Sequence, residues 1–126
     1  YLRANKRLKA PADVAGHALL QWTVRPNLWH EWMETKGAVA PNAWQGLRFE
    51  HLYMVMQAAI GQLGIALLPR IIVTDDIEAG RLVVPFEDEY ASADAYCLVY
   101  RPDKRADKKI QLFRRWLVEE ARRSGP

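Results

Sequence analysis

From Ala18 to Val24 the side chains alternate. Ala18, Leu20, Trp22 and Val24 fall on one side, and Leu19, Gln21 and Thr23 on the other, which predicts a strand. The rhythm then changes. Trp29, Trp32 and Met33 recur at helical spacing, after an N-cap candidate, Asn27, and before a stop, Gly37. A helix to Lys36 is expected, with these three residues in one stripe packed on a sheet. Ala38 to Gln45, with Pro41 and Asn42, reads as a loop.

The stretch from Gly46 to Phe86 predicts strand, helix, strand, short helix, strand. Leu47 to Glu50 is a short extended run, and Leu52 to Leu63 is apolar on most sides, as a helix buried against a sheet is. Gly64 is expected to end that helix in the left-handed conformation. Ile65 to Leu68 has the continuous apolarity of a parallel strand covered on both faces. Asp75-Asp76-Ile77-Glu78 would place acid in a first helical turn, and Gly80 would close that helix. Leu82 to Val84 is read as the next strand, limited by Pro85. Upstream, Pro11 opens a helical turn containing Asp13. Downstream, an acidic loop from Glu87 to Asp94 leads to a strand over Tyr96 to Tyr100. Asp107 then caps a helix with Ile110, Phe113, Leu117 and Ala121 on one stripe. Strands alternating with helices predict an α/β fold with a mainly parallel sheet flanked by helices.

Composition narrows the class. The 126 residues amount to one domain, half of them apolar. No run nears the ~20 apolar residues of a membrane span, and no signal-peptide pattern is present. No membrane partner is expected. Cys97, inside an apolar run, is expected to be a small buried hydrophobe in a reducing compartment. The chain starts mid-pattern at Tyr1 without an initiator Met, and is read as a fragment of a longer protein. The net charge of +3 permits nucleic-acid binding without requiring it. The basic excess, Lys104, Arg105, Lys108, Lys109, Arg114, Arg115, Arg122 and Arg123, sits late, where a solvated helix face accounts for it.

Catalytic patterns are missing. Serine occurs only at Ser92 and Ser124, without a nucleophile elbow. His30-Glu31-Trp32-Met33-Glu34 carries Glu34 where a zinc-protease helix needs a second histidine. His17 and His51 are scattered, and adjacent Asp75 and Asp76 diverge on a helix. Gly61 to Gly64 ends a helix, whereas a phosphate cradle begins one. Neither a metal nor a cofactor is implied, and no enzyme activity is expected. Binding has a better candidate. In an open parallel sheet ligands sit beyond the carboxyl ends of the strands, and Phe49-Glu50-His51-Leu52-Tyr53 occupies such a turn. Free N–H groups there favour a carboxylate or other anionic metabolite. His51 and Tyr53 add hydrogen bonds, while Glu50 suits an ammonium group and hence an amino-acid-like ligand. The alternative is that Phe49 and Tyr53 are core and Glu50 only a cap. Trp29 and Trp32 are read as core before stacking residues.

Several segments together resemble one family. Gln57-Ala58-Ala59, Gly64-Ile65-Ala66-Leu67, Pro69, Asp76, Gly80-Arg81-Leu82-Val83 and Pro85-Phe86 resemble the effector-binding domain of LysR-type transcriptional regulators, in the glycine-cleavage-activator-like branch. The likeness runs upstream through Tyr1-Leu2, Pro11-Ala12-Asp13, His17 and Trp29/Trp32, and downstream through Tyr100 to Trp116-Leu117. It implies a periplasmic-binding-protein-like (type 2) fold, here truncated. Residues 1–84 would be most of the second lobe. Residues 85–126 would be the return crossover with the last strand and helix of the first lobe. Phe86 and Tyr100 would then lie near the lobe junction, lining the cleft or packing the hinge. The resemblance further implies a cytoplasmic regulator that binds a small-molecule effector, forms a homodimer or higher homo-oligomer, and reaches DNA only through a missing N-terminal winged helix-turn-helix. An α/β enzyme fragment with catalytic residues upstream, and a solute-binding protein outside the cytoplasm, are the rival readings.

Overall fold

The strand expected over Ala18–Val24 runs between two neighbours and hydrogen-bonds to a different one on each edge. In the computed structural model, which describes residues 1, 8–39, 41–86, 90–91 and 96–124, β1 (Gln21–Trp22) pairs in parallel with β2 (Arg48–Phe49). The odd-numbered amides face β2: Gln21 N donates to Leu47 O at 2.8 Å and Thr23 N to Phe49 O at 3.0 Å. Even-numbered residues face the other edge, where Leu20 N donates to Ile65 O at 2.8 Å and Ile65 N to Ala18 O at 2.9 Å. Ile65 forms a parallel bridge with Leu19. Of the strand expected over Ile65–Leu68, this bridge is the only ladder pairing among the described residues.

Each neighbouring segment enters through a glycine that approaches the central backbone closely. A Cβ on Gly46 would stand 2.1 Å from the Leu19 carbonyl oxygen, and one on Gly64 would stand 2.4 Å from that of Ala18. Gly46 is also held at φ +107°, a region that L side chains rarely adopt.

Successive strand residues point to opposite faces, so Leu19 and Leu20 seed two separate cores. Leu19 packs with Leu8, Val14, Trp29, Trp32, Met33 and Ala43. The Trp29–Met33 stripe of α1 (Leu28–Thr35) supplies that layer, as its spacing predicts. Trp29 and Trp32 meet edge to face with centroids 5.8 Å apart, and Trp29 Nε1 donates to Leu20 O at 2.9 Å. They are core, and the indole N–H is satisfied. On the opposite face Leu20 packs with Val55 and Ala58 of α2 (Leu52–Ile60). Gly37 ends the α1 turn at φ +59°, as expected.

Other helix boundaries depart from the pattern. After α2 the left-handed residue is Gln62, at φ 63°, and Gly64 is not left-handed. Gly64 is required for a different reason, its approach to Ala18. α3 (Arg70–Glu78) starts directly after Pro69, so Asp75 and Asp76 lie in its last turn and not its first. Their expected match to the dipole is therefore reversed. Asp76 is buried and compensated locally, because Arg81 Nε donates to its carboxylate. The Asp76 carbonyl accepts Arg81 N at 2.8 Å and Leu82 N at 3.1 Å, with Gly80 at φ +70° making the turn. Leu82–Val84 has no strand pairing among the described residues, and Val83 and Val84 are exposed.

The chain divides into two compact units, Tyr1–Tyr90 and Ala91–Pro126. In the second, Asp107 Oδ1 accepts Lys109 N at 2.9 Å and starts α4 (Lys108–Ser124), as the capping signal predicts. Tyr96–Tyr100 forms no strand pairing among the described residues, and Cys97 is exposed, against the expectation of a buried thiol. An apolar run acquires cover only where a neighbouring segment supplies it, and periodicity does not report neighbours. Expectations at Leu2, Glu87 to Glu89 and Ser92 lie outside the described residues.

Two predictions follow from these contacts. Gly64→Val must displace the Ala18 backbone and is expected to destabilise the chain by about 1–3 kcal/mol. Gly16→Ala, with nothing within 4 Å of its Cβ, serves as the control and should be near neutral. Thermal melts of both variants check this. The second concerns Asp13 in the Pro11–Gly16 turn, whose Oδ2 accepts Lys9 N at 2.8 Å and Ala10 N at 2.9 Å. The first of these bonds, then the second, holds its carboxyl below the ordinary value of 3.8. Because the folded pKa is depressed, its stabilisation is complete above pH 3.8 and is lost as pH falls through the folded value. The melting-temperature gap between wild type and Asp13→Asn should close over that acid range.

Candidate ligand-binding site

Parallel strands bring their carboxyl ends to one edge, where Thr23 and Glu50 emerge side by side. Side chains lock this edge. Trp22 Nε1 donates to Glu50 O at 3.1 Å and Thr23 Oγ1 to Phe49 O at 3.3 Å. Buried Gln21 spends both amide hydrogens on the preceding loop, donating to Ala43 O and Gln45 O at 2.9 Å each. Arg48 Nη2 donates to Trp44 O at 2.9 Å. Trp44 stacks on His30, with centroids 5.9 Å apart. His30 Nε2 in turn lies 3.3 Å from Glu34 Oε1. The result is a solvent-open concavity of about 140 Å³ lined by Gln21, Trp22, Thr23, Pro26, Trp44 and Arg48.

Four of the residues singled out from the sequence share one strand-to-helix turn. Phe49 is half-buried and packs with Leu20 and Val55, so it supports the turn from beneath. Glu50, His51 and Tyr53 are exposed. His51 is the extended N-cap of α2, and its carbonyl accepts Met54 N at 2.9 Å and Val55 N at 3.3 Å. Its imidazole makes no capping bond, which leaves the ring available at the surface. Phe86 sits elsewhere, half-buried against the first core and 6.2 Å from the Trp32 ring. Tyr100 is half-buried in the second unit.

Sequence reasoning overlooked the concavity. Trp44 lies in a stretch read only as a loop, and Arg48 in one read only as a strand. The available signal was a large aromatic residue in a polar connection, since loops on a rigid scaffold often carry binding residues. Among the described residues no group of three or more His, Cys, Asp or Glu side chains converges as a metal site would require. The edge exposes the Trp44 indole and the Arg48 guanidinium, and the turn after β2 exposes the Glu50 carboxylate, the His51 imidazole and the Tyr53 phenol.

Comparison with known proteins agrees with this architecture. The family model described as LysR substrate binding domain matches residues 1–122. The glycine cleavage system transcriptional activator of Escherichia coli strain K12 is 39% identical over 120 residues, covering 95% of this chain and 39% of that protein. The HTH-type transcriptional regulator TrpI of Pseudomonas aeruginosa is 34% identical over 102 residues, covering 81% of this chain and 34% of the relative. The HTH-type transcriptional activator AmpR of Citrobacter koseri is 29% identical over 116 residues, 92% of this chain and 39% of that one. The chain thus spans about two-fifths or less of these relatives' length. No solved structure matches.

If Gln21 ties the loop to the strand ends, Gln21→Met should leave the Ala43 and Gln45 carbonyls without their donor at a cost of about 1–3 kcal/mol. Denaturant melts measure the loss, and hydrogen exchange should show it concentrated in residues 41–48. An unchanged midpoint would remove Gln21 from this role.

Proposed function

We propose that this chain, which belongs to the LysR substrate binding domain family, senses a small-molecule effector on behalf of a DNA-binding transcriptional regulator. The observation that carries the reading is the convergence of parallel strand ends on an exposed turn, Glu50-His51-Leu52-Tyr53, beside a concavity. The relatives named above at 39% and 34% identity are called a transcriptional activator and a transcriptional regulator, which favours sensing over a reaction. We assign residues 1–84 to most of the second lobe of the effector-binding domain. Residues 85–126 are assigned to the return crossover with the last strand and helix of the first lobe. DNA binding is placed in a separate N-terminal domain, the protein in the cytoplasm, and the working form as a homodimer or larger homo-oligomer. No helix of the described residues is long and apolar enough to cross a membrane.

The effector is proposed to be a carboxylate or amino-acid-like metabolite. An anionic group at the start of α2 gains about 0.3–1 kcal/mol from the helix dipole, up to ~2 where partly buried. His51 and Tyr53 supply hydrogen bonds, Glu50 an ammonium contact, and Phe49 the apolar support. Phe86 is assigned to the crossover and Tyr100 to the segment after it. Sensing requires that the effector bind one arrangement of the lobes better than the other, because only differential affinity shifts the equilibrium.

His51→Ala tests the turn directly. The imidazole is exposed and caps nothing, so the expected result is a weakened effector response in the full-length regulator with an unchanged melting temperature. A stability collapse would make His51 structural, and an unaltered response would remove it from the site.

A further inference from the structure

We infer that the Glu31 carboxylate is a latch. It couples the turn leaving the carboxyl end of β1 to the point where the chain leaves the first unit, and its use in signalling rests on the effector-sensing reading. Tyr90 is the last residue of that unit. Its ring is half-buried against the first core, as that of Phe86 is, and its hydroxyl donates to Glu31 Oε2 at 3.4 Å. The same oxygen accepts Arg25 Nη2 at 2.7 Å. One carboxylate oxygen therefore joins two segments that are far apart in sequence.

The backbone places each member. Arg25 lies in the turn between β1 and α1, where its N–H donates to Trp22 O at 3.0 Å and its carbonyl accepts Leu28 N at 3.2 Å. Pro26, the next residue, lines the strand-end concavity, so this turn belongs to the edge at which ligands meet an open parallel sheet. Glu31 stands in the first turn of α1, where its N–H donates to Asn27 O at 2.9 Å and its charge suits the helix dipole. The short, charge-assisted bond from Arg25 is the stronger of the two that Glu31 accepts. It holds the carboxylate in one place, and Tyr90 needs that, because its own bond is longer than the usual O–H···O range and cannot order a free glutamate. Arg25 is thus a positioning residue for Tyr90. Whatever draws Arg25 away at the strand end releases Glu31 and, through it, the Tyr90 hydroxyl. Release of Tyr90 loosens the strand-end turn by the same amount, since coupling is reciprocal. Latched and released are the two arrangements whose balance an effector would shift.

Chymotrypsin reads the latch, because it cuts after aromatic residues and reaches the Tyr90–Ala91 bond only when Tyr90 leaves the core. Exposed Tyr96, in the second unit, serves as the reference. Cutting tracks the released population when release is fast relative to cleavage. Tyr90→Phe keeps a cleavable ring. Scaled to a short peptide of the same sequence, it should raise cutting at position 90 over position 96 by about three- to tenfold. Glu31→Ala should do the same, and the double variant should show no more than either single one. Arg25→Met should also raise cutting at position 90, and Arg25→Lys should recover part of the protection. Cutting after Tyr53, which requires α2 to unfold, should keep its wild-type rate. The inference is overturned by unchanged cutting at position 90 in Tyr90→Phe or Glu31→Ala, or by additive effects in the double variant. Unchanged or reduced cutting in Arg25→Met, or a parallel rise after Tyr53 in Tyr90→Phe, overturns it equally. If the variants behave as stated and no member of a panel of amino acids and small carboxylates alters DNA binding of the full-length regulator, the latch stands and the sensing role falls. If they do not and a member of that panel does alter DNA binding, the latch falls and the sensing role stands.

Discussion

The backbone between Ala18 and Thr23 is approached on both edges at once, and the first unit depends on that double approach. Gly46 and Gly64 precede the two flanking segments, and neither has room for a Cβ against the carbonyls of Leu19 and Ala18. A central strand bonded on both edges and covered on both faces leaves its segments little freedom of register. Slipping it by one residue would exchange Leu19 with Leu20 between two differently shaped cores. The two cores therefore fix the alignment of β1, and the alignment fixes where its carboxyl end emerges.

The proposed site depends on that alignment. Trp22 and Thr23 bond to the carbonyls of Glu50 and Phe49, so the start of α2 is held to the end of β1. Gln21 and Arg48 hold the preceding loop, and with it Trp44, against the same edge. The exposed edge thus forms with buried Gln21 satisfied by two carbonyls of the loop. The apolar residues of α4 contrast with this: Phe113 and Trp116 remain exposed within the second unit, with rings 5.6 Å apart. That unit contributes a well-capped helix and, among its described residues, no strand pairing of its own.

Local signals were legible where physics is local. The Trp29-Trp32-Met33 stripe, the stop at Gly37, the cap at Asp107 and the Pro11 turn each depend on a few adjacent residues, and the structure has them. The family resemblance likewise placed the chain in the α/β class that the family match supports. What could not be read was which segments become neighbours. Leu82–Val84 and Tyr96–Tyr100 have strand composition but no ladder among the described residues, and Cys97 is exposed for that reason. The start of α3 was misplaced because the acidic run Asp75 to Glu78 reads as a first helical turn, whereas Pro69 marks the helix entry. Gly64 was singled out for the wrong property. Its missing Cβ matters for a contact with Ala18, dozens of positions away, and not for the dihedral angle it adopts. At the site, the turn at Phe49–Tyr53 followed from the strand-end rule. Trp44 and Arg48 required knowing that a loop folds back over the strand ends.

Native-state hydrogen exchange of the chain tests the central claim most directly. If the strand pinned between Gly46 and Gly64 organises the molecule, the amides of Leu20, Gln21, Thr23 and Ile65 should exchange only through global unfolding, more slowly than any amide of α4. Exchange of those four amides as fast as the α4 amides would contradict the account, because a strand that opens locally cannot hold a recognition surface in place.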